Sequence, residues 1–399
     1  MVRLSDQKFG HGLKHNWPLE PDTVYLNHGA YGVPPILVSR ATDKWRARAA
    51  ANPTRFFEQT LIPEIRRNAD LLGGFLNAAG NDLVFVDNVT AGINAVLRSL
   101  VLMPGDEIVA TSHLFQSVRR TLDFVCERAG ARLVLADLPF PARSEGEITA
   151  AIMGALSPRT RLLLLDHVTA NTGIRLPVET LALRAAERGI PVIVDGTHGP
   201  GNLPLDLKAL GNAGVGWYIG SGHHWLGCSF GCGFLWVHPD RQSLVRPTAI
   251  STRFGEGFTE AFDWTSSKDH SPWLTIEDVL QFRAAFGENR IRDYTHSLAR
   301  QAAELLSTRW NTQLGAPLHM FSAMATVALP VNAPATVQAA KQFKQLLRDE
   351  HAIEVTVTPF SGRLWLRLSA FLYNEIRDYE RLANAVADNA GGQELAAIV

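Results

Sequence analysis

"YIGSGHHWLG", residues 218–227, runs from an apolar stretch into a glycine-punctuated turn that carries two adjacent histidines, His223 and His224. An apolar run this short and continuous reads as a strand buried on both faces, which is the habit of parallel sheets covered by helices. In such sheets ligands gather beyond the carboxyl ends of the strands, so the double-histidine turn is a candidate site position. The same construction recurs upstream. "VIVDGTHGPG" (192–201) ends its apolar run at Asp195 and His198, and "RLLLLDHV" (161–168) ends at Asp166 and His167.

Four further runs complete a series of seven: "LVFV" (83–86), "DEIVAT" (106–111), "ARLVLAD" (131–137) and "CGFLWV" (232–237). Stretches with helical spacing separate most of them, such as "TAGINAVLRSLV" (90–101) and "PVETLALRAAERG" (177–189). This alternation predicts an α/β domain with a mostly parallel seven-stranded sheet and helices on both faces. After about residue 275 the texture changes. One long helix is expected over 275–310, then short strands at "MATVALP", "IEVTVTPF" and "RLWLRLSA" interleaved with helices, a smaller α+β domain. The expected division is an N-terminal segment near the cleft (1–35), a large domain (36–275) and a small C-terminal domain (276–399).

Composition narrows the function classes. The chain has 399 residues, 46% hydrophobic and 19% charged, with a formal net charge of -1. Nothing there favours nucleic acid or an anionic membrane surface. No apolar run is long enough to span a bilayer, and "MVRLSDQKFGHG" lacks a signal-peptide core. Cys126, Cys228 and Cys232 make no disulfide framework, which suits a reducing cytoplasm. Cys228 and Cys232 read as buried thiols rather than metal ligands.

Several residues invite chemistry. Asp195, at the end of a buried strand, needs a cation or several donors, and a protonated pyridine nitrogen is one fitting partner. Capping of the following backbone is the plain alternative. Asn88 and Thr90 lie between a strand and a helix start, an anion site or a simple N-cap. Arg367 alternates with Leu366 and Leu368, so its guanidinium is aimed either at a ligand carboxylate or at an ion pair between domains. Two further patterns are weaker. "GCSFG" (227–231) has the spelling of a serine-hydrolase elbow around Ser229, but its strand follows the serine instead of preceding it. His113, His167, His198, His223 and His224 all fall at strand ends, where a zinc-dependent hydrolase would need them, yet no pair has helical ligand spacing, and no metal is expected.

Taken together and in order, these segments resemble the class V aminotransferase group of fold-type-I pyridoxal-phosphate proteins, near its isopenicillin N epimerase and cysteine desulfurase branch. The resemblance spans nearly the whole chain. "YLNHGAYG" resembles the N-terminal active-site loop, with Asn27 and Tyr31 toward substrate. "VDNVTAGIN" resembles the phosphate cup, implying Thr90 and Ala91. "GDEIVATSHLF" implies Phe115 stacked on the cofactor ring, and "VDGTHGPG" implies Asp195 at the pyridine nitrogen and His198 against the ring. "SGHHWLG" resembles the lysine segment, with Ser221 and His223 toward phosphate. "WTSSKDHSPWL" implies Ser267 reaching the neighbouring subunit's phosphate, hence a homodimer with shared sites. "RLSAFLYN" implies Arg367 as the substrate-carboxylate arginine. The cofactor implied is pyridoxal 5'-phosphate, held non-covalently or as an external aldimine, and the partner an amino-acid-like small molecule. Specificity is expected from Tyr31, Arg55, Phe56 and the loop 251–263.

The departure is His224, which stands where the family carries its Schiff-base lysine. Imidazole forms no stable Schiff base but serves as an acid or base near neutral pH. Three readings stay open: a natural lysine-free enzyme using His224 for proton transfer in epimerisation, elimination or C–S cleavage; an engineered lysine-to-histidine variant; and a non-catalytic ligand-binding protein. Lys268, beside Ser267, is expected at the phosphate end or the surface rather than as a substitute lysine. With no cysteine after Cys232, persulfide chemistry is not expected.

Overall fold

A computed structural model describes residues 8–390; the outermost parts of the expected terminal segments, 1–7 and 391–399, lie outside the described residues. The strands in chain order are β1 (Val24–Tyr25), β2 (Leu83–Val86), β3 (Glu107–Thr111), β4 (Arg132–Ala136), β5 (Thr160–Asp166), β6 (Val192–Gly196), β7 (Val215–Ser221), β8 (Gly233–Val237), β9 (Met324–Ala328), β10 (Ile353–Glu354), β11 (Thr356–Phe360) and β12 (Arg363–Ser369). β2 to β8 form one seven-stranded sheet in the order β2-β8-β7-β6-β5-β3-β4. β8 pairs antiparallel with both β7 and β2, and the remaining pairs are parallel, so β8 alone runs against the rest.

Alternation within each strand builds two cores from one sheet. Ile108, Leu162, Leu164, Ile193, Trp217 and Ile219 turn to one face, where the helices Val89–Ser99 and Gln116–Ala129 cover them. Val109, Leu163, Leu165, Val192, Val194 and Tyr218 turn to the other, against the helix Val178–Ala186 and its neighbours. With both faces covered, the parallel strands are apolar throughout, as the continuous runs require. Close approach shapes the ligand end of the sheet. The Tyr218 ring lies across Gly196 and Gly199, where a Cβ would overlap it, and its hydroxyl meets Nδ1 of His167 at 3.0 Å.

The second unit is a three-stranded antiparallel sheet in the order β11-β12-β9, backed by the helices Glu288–Trp310, Val337–His351 and Ile376–Ala390. β1 of the N-terminal segment pairs in parallel with β10, tying that segment to this unit. The single helix expected over 275–310 is two, Ile276–Ala284 and Glu288–Trp310. Gly287, at φ 86°, breaks the α-helical run, because a left-handed residue cannot continue it. Among the described residues no helix is long and apolar enough to cross a membrane.

Candidate active site

The carboxyl ends of β2, β3, β5, β6 and β7 open onto a cavity of about 490 Å³ between the large sheet, the N-terminal loop and the small sheet. Its wall includes Asn27, Tyr31, Thr90, Phe115, Asp195, His198, Ser221, His223, His224 and Arg367. Ala91 and Ser267 do not line it. The Ala91 N–H donates to Asn88 Oδ1 at 2.9 Å, so Asn88 is the N-cap of the helix Val89–Ser99. The first-turn N–H groups of Val89 and Thr90 have no helical carbonyl partner and stay available for an anion. Thr90 Oγ1 lies 3.1 Å from Ser117 Oγ, and Ser221 Oγ lies 3.1 Å from His223 Nδ1, so hydroxyls and a ring nitrogen cluster at that end.

Asp195 sits deep in the wall, 5% exposed. Thr197 donates to it twice, from its N–H at 2.9 Å and its hydroxyl at 2.6 Å, and both bonds go to Oδ1. The other oxygen keeps its acceptor capacity for a group in the cavity. Burial pushes the Asp195 carboxyl above its ordinary pKa, against the pull of Thr197. Asp166, its register partner on β5, is buried as well and is raised by burial and by the Asp195 charge. Two carboxyls side by side in a dry wall make a negative locus that a bound cation relieves. Asp166 was one of several polar strand ends in the sequence; only the β5–β6 register shows that it stands beside Asp195.

The histidines are ordered by their hydrogen bonds. The Trp225 indole N–H donates to His198 Nδ1 at 3.3 Å, which leaves the His198 proton on Nε2 in the neutral ring. His28 donates from Nε2 to the His224 carbonyl at 2.9 Å, so its Nδ1 accepts from the Tyr373 hydroxyl. His224 lies with its ring centroid 5.0 Å from that of His198 and 4.3 Å from that of His223. Its Nδ1 is sealed from solvent with no partner. Burial first, then the neighbouring His198, His223, His28 and Arg367, holds its pKa well below the ordinary value. At neutral pH His224 is an uncharged base.

The turn that carries these residues has little room. Gly222 takes an N–H bond to the Cys232 carbonyl, and a Cβ there would lie 2.9 Å from the sulfur of Cys228 and 3.0 Å from that of Cys232. Both thiols are free and buried beneath the turn. From the other side Gly32 packs its backbone on the His223 and His224 carbonyls, which a Cβ would overlap. Gly32→Ala is expected to cost about 1–3 kcal/mol of stability through overpacking and to push the N-terminal loop off the turn. Urea unfolding measures the first effect, and loss of ligand affinity the second.

Arg367, on β12, is 5% exposed. Its Nη1 donates to the Ala170 carbonyl and its Nη2 to Thr356 Oγ1 at 3.3 Å, while Thr356 donates to Asn27 Oδ1 at 2.5 Å. Nε is buried without a partner. Burial lowers its pKa to about 10, which leaves it charged at neutral pH. The remaining sequence candidates lie elsewhere. Phe56 is buried in the core between Trp45 and Phe57, Arg55 is exposed, and neither they nor residues 251–263 line this cavity. Lys268 pairs with Asp87 at 2.5 Å, stands 4.1 Å from the Trp273 ring centroid and lines a separate cavity. Ser229 shares a 2.8 Å hydrogen bond with Thr42, and β8 follows it, so the strand-before-serine context of a hydrolase elbow is missing. No group of three or more His, Cys, Asp or Glu among the described residues is placed to hold a metal ion.

The buried histidines make folding pH-sensitive. Burial holds His28 down from 6.5 to about 3, and His113, His167 and His296 to about 4. The unfolded chain takes up these protons near pH 6.5 and the folded chain does not, so stability falls as pH drops from 6.5 toward 4. Each group contributes up to about 1.4 kcal/mol per pH unit in that window. His198, His223, His224 and His270 are held down as well, so among the described residues these eight histidines outnumber the five carboxyls that burial raises and that act in the opposite direction, Asp82, Asp166, Asp195, Asp263 and Asp278. Urea midpoints are expected to fall steeply between pH 6.5 and 4.5.

Comparison with known proteins agrees with this architecture. The aminotransferase class-V family profile matches residues 24–382. An isopenicillin N epimerase of Amycolatopsis lactamdurans is 32% identical over 93% of this chain and 96% of its own length. A probable chloroplastic L-cysteine desulfhydrase of Arabidopsis thaliana is 27% identical over 92% of this chain and 83% of its own. Among solved structures, a cysteine desulfurase of Escherichia coli superposes with a TM-score of 0.77 at 22% identity, over 95% of this chain and 97% of that one. A mutant of C-DES with glycine covalently linked to the PLP cofactor gives the same score at 21% identity, over 94% and 99%. From the match over nearly its whole length and the seven-stranded fold that carries the cavity, this chain belongs to the aminotransferase class-V family.

Proposed function

We propose that this chain binds pyridoxal 5'-phosphate in the cavity without a covalent anchor and works at the α-carbon of an amino acid or amino-acid-derived substrate. The observation that carries the reading is Asp195, a buried carboxylate whose two protein donors both serve Oδ1 and whose burial cost a protonated pyridine nitrogen offsets. When bound, the cofactor supplies an electron sink that loosens a bond at the substrate's α-carbon.

The residues divide the remaining work. Asp195 keeps the proton on the ring nitrogen. The N–H groups at the start of the helix Val89–Ser99, with Thr90, Ser221 and His223, donate to the phosphate. Phe115 would cover one face of the ring, and His198 would donate from Nε2 toward the ring or its substituent. Arg367 grips the substrate carboxylate in a two-pronged contact. His224, neutral and partnerless at Nδ1, takes or returns a proton at the α-carbon. With imidazole in place of an amine, affinity rests on the phosphate and pyridine contacts alone, so the cofactor is expected to leave on dialysis. The reaction classes in keeping with the relatives' names are epimerisation, elimination and C–S cleavage. Persulfide transfer is left out of this proposal, since among the described residues no cysteine lines the cavity. In a homodimer, Ser267, exposed and outside its own chain's cavity, would serve the neighbouring subunit's phosphate.

The test is equilibrium dialysis against pyridoxal phosphate, for the wild-type chain and for Asp195→Ala. Tight, reversible binding that the substitution weakens supports the reading; equal affinity in the two proteins sinks it.

A further inference from the structure

Lys344 had no signal in the sequence. It sits in the helix Val337–His351, among residues whose apolar spacing explains only Phe343, Ala340 and Leu347. That helix packs on β11 and brings Lys344 into the cavity wall beside Thr356 and Arg367. Lys344 is half-buried and makes no hydrogen bond or ion pair among the described residues. Its neighbour Arg348, by contrast, is paired with Glu354.

A lysine drawn partly out of water without an anion loses hydration and gains nothing in return. Its location decides which anion fits. Arg367 reaches Thr356 through Nη2, and Thr356 opens β11, the strand on which the Lys344 helix packs, so Lys344 lies on the Arg367 side of the cavity wall. The phosphate donors Thr90, Ser221 and His223 stand at the ends of β2 and β7, on the other unit. Arg367 and Lys344 are the two cations of the wall, and one α-carboxylate occupies only the first.

We propose that Lys344 selects substrates that carry a second carboxylate, on the side chain, so that the substrate class is acidic amino acids or amino-acid derivatives with an anionic side-chain terminus. This rests on the reading of the cavity as a pyridoxal-phosphate and amino-acid site. Lys344 acts on specificity and takes no part in bond making. The plain alternative is a lysine whose ammonium reaches past the cavity to bulk water, and it predicts no discrimination between charged and neutral side chains.

Stable probes test this without any turnover. Phosphopyridoxyl-L-amino acids, the reduced secondary amines of pyridoxal phosphate with aspartate, glutamate or 2-aminoadipate, need no lysine to bind. Their dissociation constants, measured by fluorescence, are compared with those of the corresponding side-chain amides. The wild-type chain is expected to favour the acid over its amide about tenfold for at least one chain length, as a charge-assisted contact implies. Lys344→Met should abolish that ratio while leaving the amide's affinity unchanged, and Lys344→Arg should retain most of it. Discrimination absent at every length, or kept in Lys344→Met, overturns the inference alone. So does equal weakening of acid, amide and free pyridoxal phosphate, which would assign Lys344 to the phosphate. Failure of any probe to bind, or binding unchanged by Asp195→Ala, overturns the underlying site reading and this inference with it.

Discussion

His224→Lys is expected to convert a reversibly bound cofactor into a covalently held one. A lysine amine at residue 224 would condense with the cofactor's aldehyde, releasing water, and borohydride would fix the link. The environment of residue 224 favours this. Burial and the surrounding His198, His223, His28 and Arg367 hold the imidazole uncharged. The same surroundings lower the pKa of a lysine by up to about 3–5 units in a fully buried position and leave its amine free to attack. Mass spectrometry after reduction should find the cofactor on residue 224 at close to one per chain, with a new visible absorption band before reduction. The wild-type chain should show no such mark at Lys268, whose ammonium is held by Asp87 and the Trp273 ring. A folded His224→Lys protein that stays unlabelled would show that the aldehyde does not lie beside this residue, and the assignment of His224 would fall. A labelled protein that also gains turnover would show that the rest of the site is intact.

Asp195→Ala is expected to weaken pyridoxal phosphate binding by roughly 30- to several thousand-fold, the 2–5 kcal/mol typical of breaking a buried, hydrogen-bonded charge pair. Its effect on the empty protein should have the opposite sign. Asp195 is raised by burial and stands beside Asp166, so removing it relieves both the desolvation of one carboxyl and the repulsion between two. The apo-protein's melting temperature is therefore expected to hold or rise, a cost carried for function. The plain alternative makes Asp195 a cap for the Thr197 backbone and hydroxyl. It predicts the reverse, a destabilised apo-protein whose cofactor affinity is unaltered. One thermal melt and one dialysis on the same variant decide between them.

The strand-and-helix alternation was legible because both faces of the large sheet are covered, which leaves each strand as an unbroken apolar run. The candidate residues at strand ends that line the cavity were legible for the same reason, since a charged or polar residue closing such a run stands out. Helices hid more. Gly287 split a pattern that periodicity alone made continuous, because a left-handed residue interrupts a helix without altering the spacing of apolar positions on either side. Lys344 was invisible, since a lysine on an amphipathic helix looks like any solvated charge until the helix is docked. Arg55 and Phe56 were chosen by residue type. A π-helical turn, Phe56–Thr60, instead sends Phe56 into the core.

By itself, then, the order of residues determined the layered sheet and the strand ends followed by Asp195, His198 and His224, because these depend on local periodicity and on what closes each run. Only the tertiary structure decided which of those ends share a wall. It set Asp166 beside Asp195 through the β5–β6 register, gathered the rings of His198, His223 and His224, and spent the Ala91 N–H on a cap. It also carried Arg367 and Lys344 across from a second unit. Burial and charge act through space rather than along the chain, so the protonation states of the site and the pairing of Lys344 with Arg367 in one wall exist only once the chain is folded.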